Sequence, residues 1–364
     1  MQKSPGPTGT MRWNGEIPIC FYRNAINRIR PIRNQSTRYL YYWLFNLKHA
    51  GYVDAIVAKT TIAHLTAEKL ECVPWPDVPF AEQKRIAAYL DASCAAIDAA
   101  VSAKRRQIET LDVLRKEDIN RAVTYGIDPN VALRSIEEDW IEQIPSRWQV
   151  CRIKRVLSRV DYGISQSTDK VGQYPVLKMG HIQDGEIVYN GIDFIDDVPE
   201  GLLLEPGDIL YNRTNSSDQV AKAAVFRGDM GNGITFASYL VRLRANHRAN
   251  PYFLNYVLNS TGFLTFARRL AIPSVQQSNL NSTRYCRMLI PLPPFQEQRK
   301  IVAFLDQKTA LTRQVVDGIL KQISILPAYR KSLIHECVTG QRRVTEEDVA
   351  RVQGGKSLAV GPRQ

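Results

Sequence analysis

The sequence predicts an α+β protein: mixed α/β globular stretches joined by two long antiparallel, coiled-coil-like helices, written as a pseudo-repeat with an offset of 215 residues. Three observations predict it. Residues 79–91 (PFAEQKRIAAYLD) return as residues 294–306 (PFQEQRKIVAFLD), with Pro, Phe, Glu, Gln, Ile, Ala, Leu and Asp in register. Each copy opens a segment whose apolar residues recur at helical spacings. Between the copies lie short β-like runs punctuated by Gly, Asp and Asn.

The repeat continues downstream at the same offset. Arg106-Gln107-Ile108 answers Lys321-Gln322-Ile323, Arg115-Lys116 answers Arg330-Lys331, and Val123-Thr124 answers Val338-Thr339. On the first helix the apolar seam is Leu90, Ile97, Val101, Ile108 and Leu111; on the second it is Leu305, Val316, Ile319, Ile323 and Leu326. Seams this narrow belong to helices that pair along their length. At about 1.5 Å per residue, forty-odd residues run roughly 60 Å, enough to hold two domains apart. Pro327 lies inside the second helix where the first has Asp112, and its missing N–H predicts a bend or break near Leu326.

At 364 residues, 44% hydrophobic and 23% charged, the composition is that of a soluble protein of two or three domains. No segment approaches the apolar run of about 18 residues that a membrane span needs, and the N-terminus lacks a signal-peptide core. No membrane and a cytoplasmic location are expected. Cys20, Cys72, Cys94, Cys151, Cys286 and Cys337 are scattered without a C-x-x-C pair, and read as reduced, mostly buried thiols rather than metal ligands. An excess of 48 Lys and Arg over 36 Asp and Glu gives +12, which favours a polyanionic partner.

In chain order, residues 1–15 are Pro- and Gly-rich and expected to fray. Residues 17–33 read as strand carrying Arg28-Ile29-Arg30, residues 37–49 (TRYLYYWLFNLKH) as a helix with core-facing aromatics, and residues 72–74 as strand-like before a Pro-rich hinge. After the first long helix, β-like runs fall at 174–179, 185–189, 208–211, 221–226 and 238–243, and residues 251–259 (PYFLNYVLN) form a short helix. Arg242-Leu243-Arg244 matches Arg28-Ile29-Arg30 after a one-residue slip, so residues 1–78 read as the later half of a domain whose full version is residues 139–294. The expected divisions are 1–78, a helix over 79–130, a full domain over 131–293, a second helix over 294–341 and a disordered tail over 342–364.

This order, with Pro291-Leu292-Pro293-Pro294-Phe295 and Glu297-Gln298, the run Tyr329 to Ile334 with Val338-Thr339-Gly340, and GDILYNRTNS over 207–216, resembles the specificity subunit of Type I restriction-modification systems. The resemblance implies two target-recognition domains that each read half of a split double-stranded DNA site, with the helices as spacer and docking surface. It implies a chain with no catalytic activity or cofactor of its own. Its partners would be methylation (M) subunits using S-adenosylmethionine and a restriction (R) subunit using ATP and Mg. It also implies that the first recognition domain is only partly present. The chain would then be a truncated or inactive fragment, a partner for a complementing fragment, or a subunit that pairs with a second copy.

The residues support a DNA reader directly. Phosphates call for cations, and base edges for Arg, Asn and Gln. Three polar loops supply such groups: Ser165, Gln166, Ser167 and Thr168; Asn212, Arg213, Thr214, Asn215 and Ser216; and Gln276, Gln277 and Asn279. Lys170, Lys178 and Arg227 are candidate phosphate contacts, against the plainer reading of solvated surface charge. Two catalytic patterns are set aside. Asp77 with Glu82 and Lys84 imitates a metal-nuclease motif, but Glu82 opens a helix and the second copy lacks the Asp. Asn250-Pro251-Tyr252-Phe253 imitates an adenine-methyltransferase motif, but no Gly-rich cofactor loop precedes it and Pro251 fits the first turn of a helix. A coiled-coil scaffold protein would share the seams, though not the Arg-rich globular stretches.

Overall fold

The computed structural model describes residues 10–12, 21–22, 26–32, 34–57, 65–228, 233–274 and 277–354. Their helices are α1 (Thr37–His49), α2 (Tyr52–Ile56), α3 (Ala67–Glu71), α4 (Phe80–Tyr125), α5 (Pro251–Asn259), α6 (Thr261–Arg269), α7 (Ser282–Arg287), α8 (Phe295–Val338) and α9 (Glu346–Gln353). The chain divides into one unit of residues 1–108 and 316–364 and another of residues 109–315, so each long helix contributes to both.

In the first unit, Ser36 caps α1 by accepting from the Tyr39 amide. The apolar face of α1 turns Tyr39 and Tyr42 onto the start of α4 and the end of α8, where they pack with Ile86, Leu90, Leu333 and Val338. The Tyr39 hydroxyl donates to the Val338 carbonyl at 3.0 Å. The adjoining face, Leu44 and Leu47, is covered by Val53 and Val57. Of the seam residues, Leu90, Ile97 and Ile319 are buried, and Val101, Ile108, Val316, Ile323 and Leu326 are half-buried.

In the second unit, the strands Ala223–Val225, Ile209–Asn212, Leu240–Ala245 and Leu157–Tyr162 form an antiparallel sheet in that order. Ala223–Val225, Ile209–Asn212 and most of Leu240–Ala245 are buried, whereas the edge strand Leu157–Tyr162 is largely exposed. Ile209, Tyr211, Val241 and Leu243 face a core with Phe253, Val257, Tyr285, Ile301 and Leu305. Leu210, Ala224 and Leu240 face a second core built on Leu177, Ile234 and Phe236. That second core lies under a three-stranded sheet ordered Thr235–Phe236, Tyr174–Leu177, Asp193–Ile195. Leu111 is half-buried on the α4 portion of this unit, and Leu305 is fully buried.

The repeated EQ and LD have a physical cause. Gln83 and Gln298 are both fully buried. Gln298 Oε1 accepts from the Asn250 amide at 2.7 Å, and its Nε2 donates to the carbonyls of Pro293 and Arg248 at 2.9 and 3.0 Å. Gln83 does the same with the Ser36 amide at 2.9 Å and the Val78 carbonyl at 2.8 Å. Asn250 is in turn the cap of α5, accepting from the amides of Tyr252 and Phe253, which accounts for the Asn-Pro-Tyr-Phe run. Each short helix is also tied by a tyrosine to the aspartate of its repeat, Tyr42 to Asp91 at 2.7 Å and Tyr256 to Asp306 at 2.6 Å. The repeat therefore encodes a latch between a short capped helix and the first turns of a long one.

Five expectations are corrected. The described part of residues 17–33 contains no strand, and residues 72–74 are a turn followed by irregular backbone. Helix α8 runs through Pro327 without interruption, so the break expected near Leu326 is absent. Pro327 is exposed, and α4 grips α8 on either side of it through Lys104–Gln322 and Arg330–Asp98. Residues 346–353 of the expected tail are helix α9, opened by a Thr345–Asp348 capping box. One 18-residue window of α4 reaches a mean hydropathy of 1.3 with a third of it buried, although the same half of the helix carries Asp91 and Asp98, both ion-paired. The first expected frayed residues, 1–9, and Cys20 lie outside the described residues.

Candidate nucleic-acid interface

The polar loops gather where the four-stranded sheet ends. Tyr162 lies opposite Val241, and Asn212 opposite Leu240, so both strands leave the sheet at the same edge. Gly163 follows Tyr162 because its backbone passes so close to strand 235–236 that a Cβ would stand 2.1 Å from the Phe236 carbonyl oxygen. Beyond Asn212, Thr214–Asn215 pairs with Gln277–Asn279, which pairs with Ile272–Ser274 in a small three-stranded ribbon.

Arg213 is the hinge between sheet and ribbon. Its amide donates to the Tyr239 carbonyl at 3.0 Å and its carbonyl accepts from the Leu280 amide at 2.8 Å. Its guanidinium lies 5.1 Å above the Tyr162 ring, and its Nε is buried without a partner. Tyr162 is 43% exposed and Tyr239 49% exposed, and the Tyr162 hydroxyl shares a 2.8 Å hydrogen bond with Ser282 Oγ. A stacked cation beside exposed aromatic rings can meet a base edge and a base face together.

A second cluster centres on Asp193. Lys170 Nζ donates to its Oδ1 at 2.6 Å, Lys178 Nζ to its Oδ2 at 2.5 Å, and Lys178 also to Thr168 Oγ1 at 2.7 Å. These two lysine bonds pull the Asp193 carboxyl down to about 2. Lys178 continues into Met179, whose carbonyl accepts from Asn212 at 3.4 Å, so this cluster joins the same end of the unit. Burial lowers His181, whose ring nitrogen Nδ1 accepts from the Lys178 amide at 2.7 Å.

The structure thus brings most of the expected residues to one end. Ser165, Gln166, Ser167 and Gln277 are exposed there, while Thr168, Arg213, Asn215, Ser216 and Asn279 are half-buried. Asn215 Oδ1 accepts from the Ser216 amide, and Ser216 Oγ donates to Asp218. Thr214 is buried and accepts from Asn279 Nδ2 at 2.9 Å, which stiffens the ribbon. Two residues depart. Asn212 is fully buried and donates to the Met179 and Gln219 carbonyls, so it braces the loop and is not presented to a groove. Arg227 lies beyond Val225, which pairs with Ile209 at the opposite end of the sheet, and it is held by Glu186 at 3.3 Å and by the Tyr252 ring. Gln276 lies outside the described residues. Sequence reasoning missed Tyr162 and Tyr239; the signal was a tyrosine at each strand margin beside a Gly or Ser.

A family model described as the Type I restriction modification DNA specificity domain matches residues 2–110 and 145–324. A putative type I restriction enzyme MjaX specificity subunit of Methanocaldococcus jannaschii is 29% identical over 206 residues, which is 55% of this chain and 47% of the relative. The chain therefore spans about half the length of that relative. The EcoKI specificity subunit of Escherichia coli is 21% identical over 351 residues, covering 93% of this chain and 73% of that protein. The fold is shared with a chain from a solved structure on complex assembly and conformational transition of the type I R-M system, at TM-score 0.64 and 16% identity, covering 84% of this chain and 71% of that one. It is shared also with the HsdS subunit from Thermoanaerobacter tengcongensis, at TM-score 0.51 and 18% identity, covering 83% and 70%. The matched residues take in the sheet, the loops at its end and most of both long helices, and this chain belongs to the Type I restriction-modification DNA specificity family.

Proposed function

We propose that the chain is a non-catalytic DNA-recognition subunit that directs methylation and cleavage to a bipartite site. The end of the 109–315 unit reads one half-site: Arg213 on Tyr162 addresses base edges, the 165–168 loop and Gln277 flank it, and Lys170 and Lys178 meet phosphates. The long helices act as spacer and as docking surface for methylation subunits, which bring S-adenosylmethionine, while a restriction subunit brings ATP and Mg. The observation that carries this reading is the Arg213–Tyr162 stack at 5.1 Å, at the edge where the polar loops converge. Phosphate contacts orient a protein on DNA and base contacts choose the sequence.

Selection from random duplexes with the purified chain tests it. A recovered sequence preference lost on Arg213→Ala, with residual salt-sensitive binding kept, supports the reading. Binding without any preference, or a preference untouched by Arg213→Ala, contradicts it.

A further inference from the structure

The 109–315 unit separates its charge along the chain. Residues 143–160 and 245–296 hold five Lys or Arg each and not one Asp or Glu, whereas residues 161–226 between them hold eleven Asp or Glu against four Lys or Arg. The fold joins the two basic stretches. Arg152 lies opposite Leu289 in a two-stranded ladder, the Ile153 amide donates to the Met288 carbonyl at 3.0 Å, and the 3₁₀ turn Ile153–Val156 packs on α7. The other end of α7 meets the edge strand of the four-stranded sheet, where Ser282 Oγ and the Tyr162 hydroxyl share their hydrogen bond.

Both elements bury their apolar sides, Ile153 and Val156 on the turn and Tyr285 and Cys286 on α7. Arg152, Lys154, Arg155 and Arg287 remain outside, all exposed, and their charged groups make no ion pair or hydrogen bond with the described residues. Other cations of the unit are matched: Lys170 and Lys178 share Asp193, Lys222 faces Asp184, Arg227 faces Glu186 and Arg244 is held by Asp208. Cations gathered without counter-charges repel one another, and an external anion relieves that repulsion. The six residues of α7 rise about 9 Å, so Arg287 and the turn stand close to three base-pair steps of about 3.4 Å from Tyr162.

We propose that Arg152, Lys154, Arg155 and Arg287 form a phosphate track that holds the duplex backbone just outside the base pairs addressed by Arg213. The inference rests on the reading of the Tyr162–Arg213 end as the base reader, and it changes where the affinity comes from. Asp193 cancels half the charge of Lys170 and Lys178, whereas the four track cations keep theirs. Contacts to phosphate fix register on the duplex without reading sequence. A protein partner fits this face less well. No large apolar side chain is exposed over residues 149–157 or 281–292, and protein interfaces are built around apolar centres.

The test uses the full chain and fluorescein-labelled duplexes, with affinity measured by anisotropy across a salt series. Arg152→Gln, Lys154→Gln, Arg155→Gln and Arg287→Gln combined should lower the slope of log affinity against log salt by about three to four, at about 0.9 per phosphate contact, and leave any sequence preference as in wild type. Arg152→Lys, Arg155→Lys and Arg287→Lys combined should keep the wild-type slope. A neutral methylphosphonate linkage about three base pairs outside the preferred half-site should weaken wild type about tenfold and leave the Gln variant unaffected. All four side chains are exposed, so the Gln variant should melt as wild type does. An unchanged slope in a folded Gln variant overturns the proposal; if that variant also loses co-purification with the methylation subunit, the surface belongs to a protein partner. A lost sequence preference in the Gln variant overturns it too. A slope lowered as expected while Arg213→Ala leaves the preference untouched upholds the track and refutes only the base-reading role of Arg213.

Discussion

Gln298→Leu removes a buried amide of nearly the same volume and isolates its hydrogen bonds from any cavity. Three main-chain groups lose their partner: the Asn250 amide and the carbonyls of Pro293 and Arg248. The bond to Pro293 is fully buried and the other two are partly buried. Leaving a buried polar group unmade costs about 1–3 kcal/mol, and the partly buried groups recover some of that from water, so the sum is about 3 kcal/mol. For a unit of roughly 200 residues this lowers the melting temperature by about 6–12 °C. Calorimetric melting of wild type and variant measures it. Gln83→Leu should act similarly on the other unit, through the Ser36 amide and the Val78 carbonyl. A drop under about 2 °C for both variants would refute the reasoning that these glutamines latch the helices.

Other perturbations have defined outcomes. Arg242→Met leaves Asp161 with Arg159 as its remaining arginine partner and uncaps two carbonyls, Leu203 at 2.9 Å and Gly201 at 2.8 Å, and should destabilise by about 2–4 kcal/mol in urea unfolding. Pro327→Ala restores an N–H to an unbroken helix and should stabilise by about 1–3 kcal/mol; a loss of stability would show that the proline is accommodated by some specific contact. The Asp193 carboxyl, held near 2 by Lys170 and Lys178, contributes stability that is present above its usual value of 3.8 and lost as pH falls through 2. Asp193→Asn should therefore destabilise at neutral pH, and the difference from wild type should vanish below about pH 2; a constant difference across that window contradicts the assigned pairing.

Much of this architecture was legible from residue spacing. Helices α1 and α5 fall on the expected residues because an apolar face, a capping Ser or Asn and, for α5, a first-turn proline agree with one another. The long helices followed from the repeat, and the five expected β-like runs each hold a strand within about two residues, whereas Leu157–Tyr162 of the same four-stranded sheet, with polar or charged residues at half its positions, was not among them. The strand expected over residues 17–33 is absent from its described part because strand propensity needs a paired neighbour, and none of the described segments pairs with it. The ribbon of Ile272–Ser274 and Gln277–Asn279 went unseen because Ser, Asn, Gln and Pro have no strand signature; their pairing partner fixes them. Asn212 was read as exposed by residue type, yet it continues the buried run Ile209–Asn212. Arg227 was read as part of the site by charge alone, which says nothing about which end of a sheet a residue occupies.

The most direct measurement is to co-express the chain with a methylation subunit from the same host and map N6-methyladenine along the cellular DNA. The expected result is a single split motif for the wild type, and for Arg213→Ala a motif relaxed or lost in one half only. Methylation that keeps the same complete motif after Arg213→Ala, with both proteins soluble, would contradict the claim that the Tyr162–Arg213 end of the sheet reads the bases.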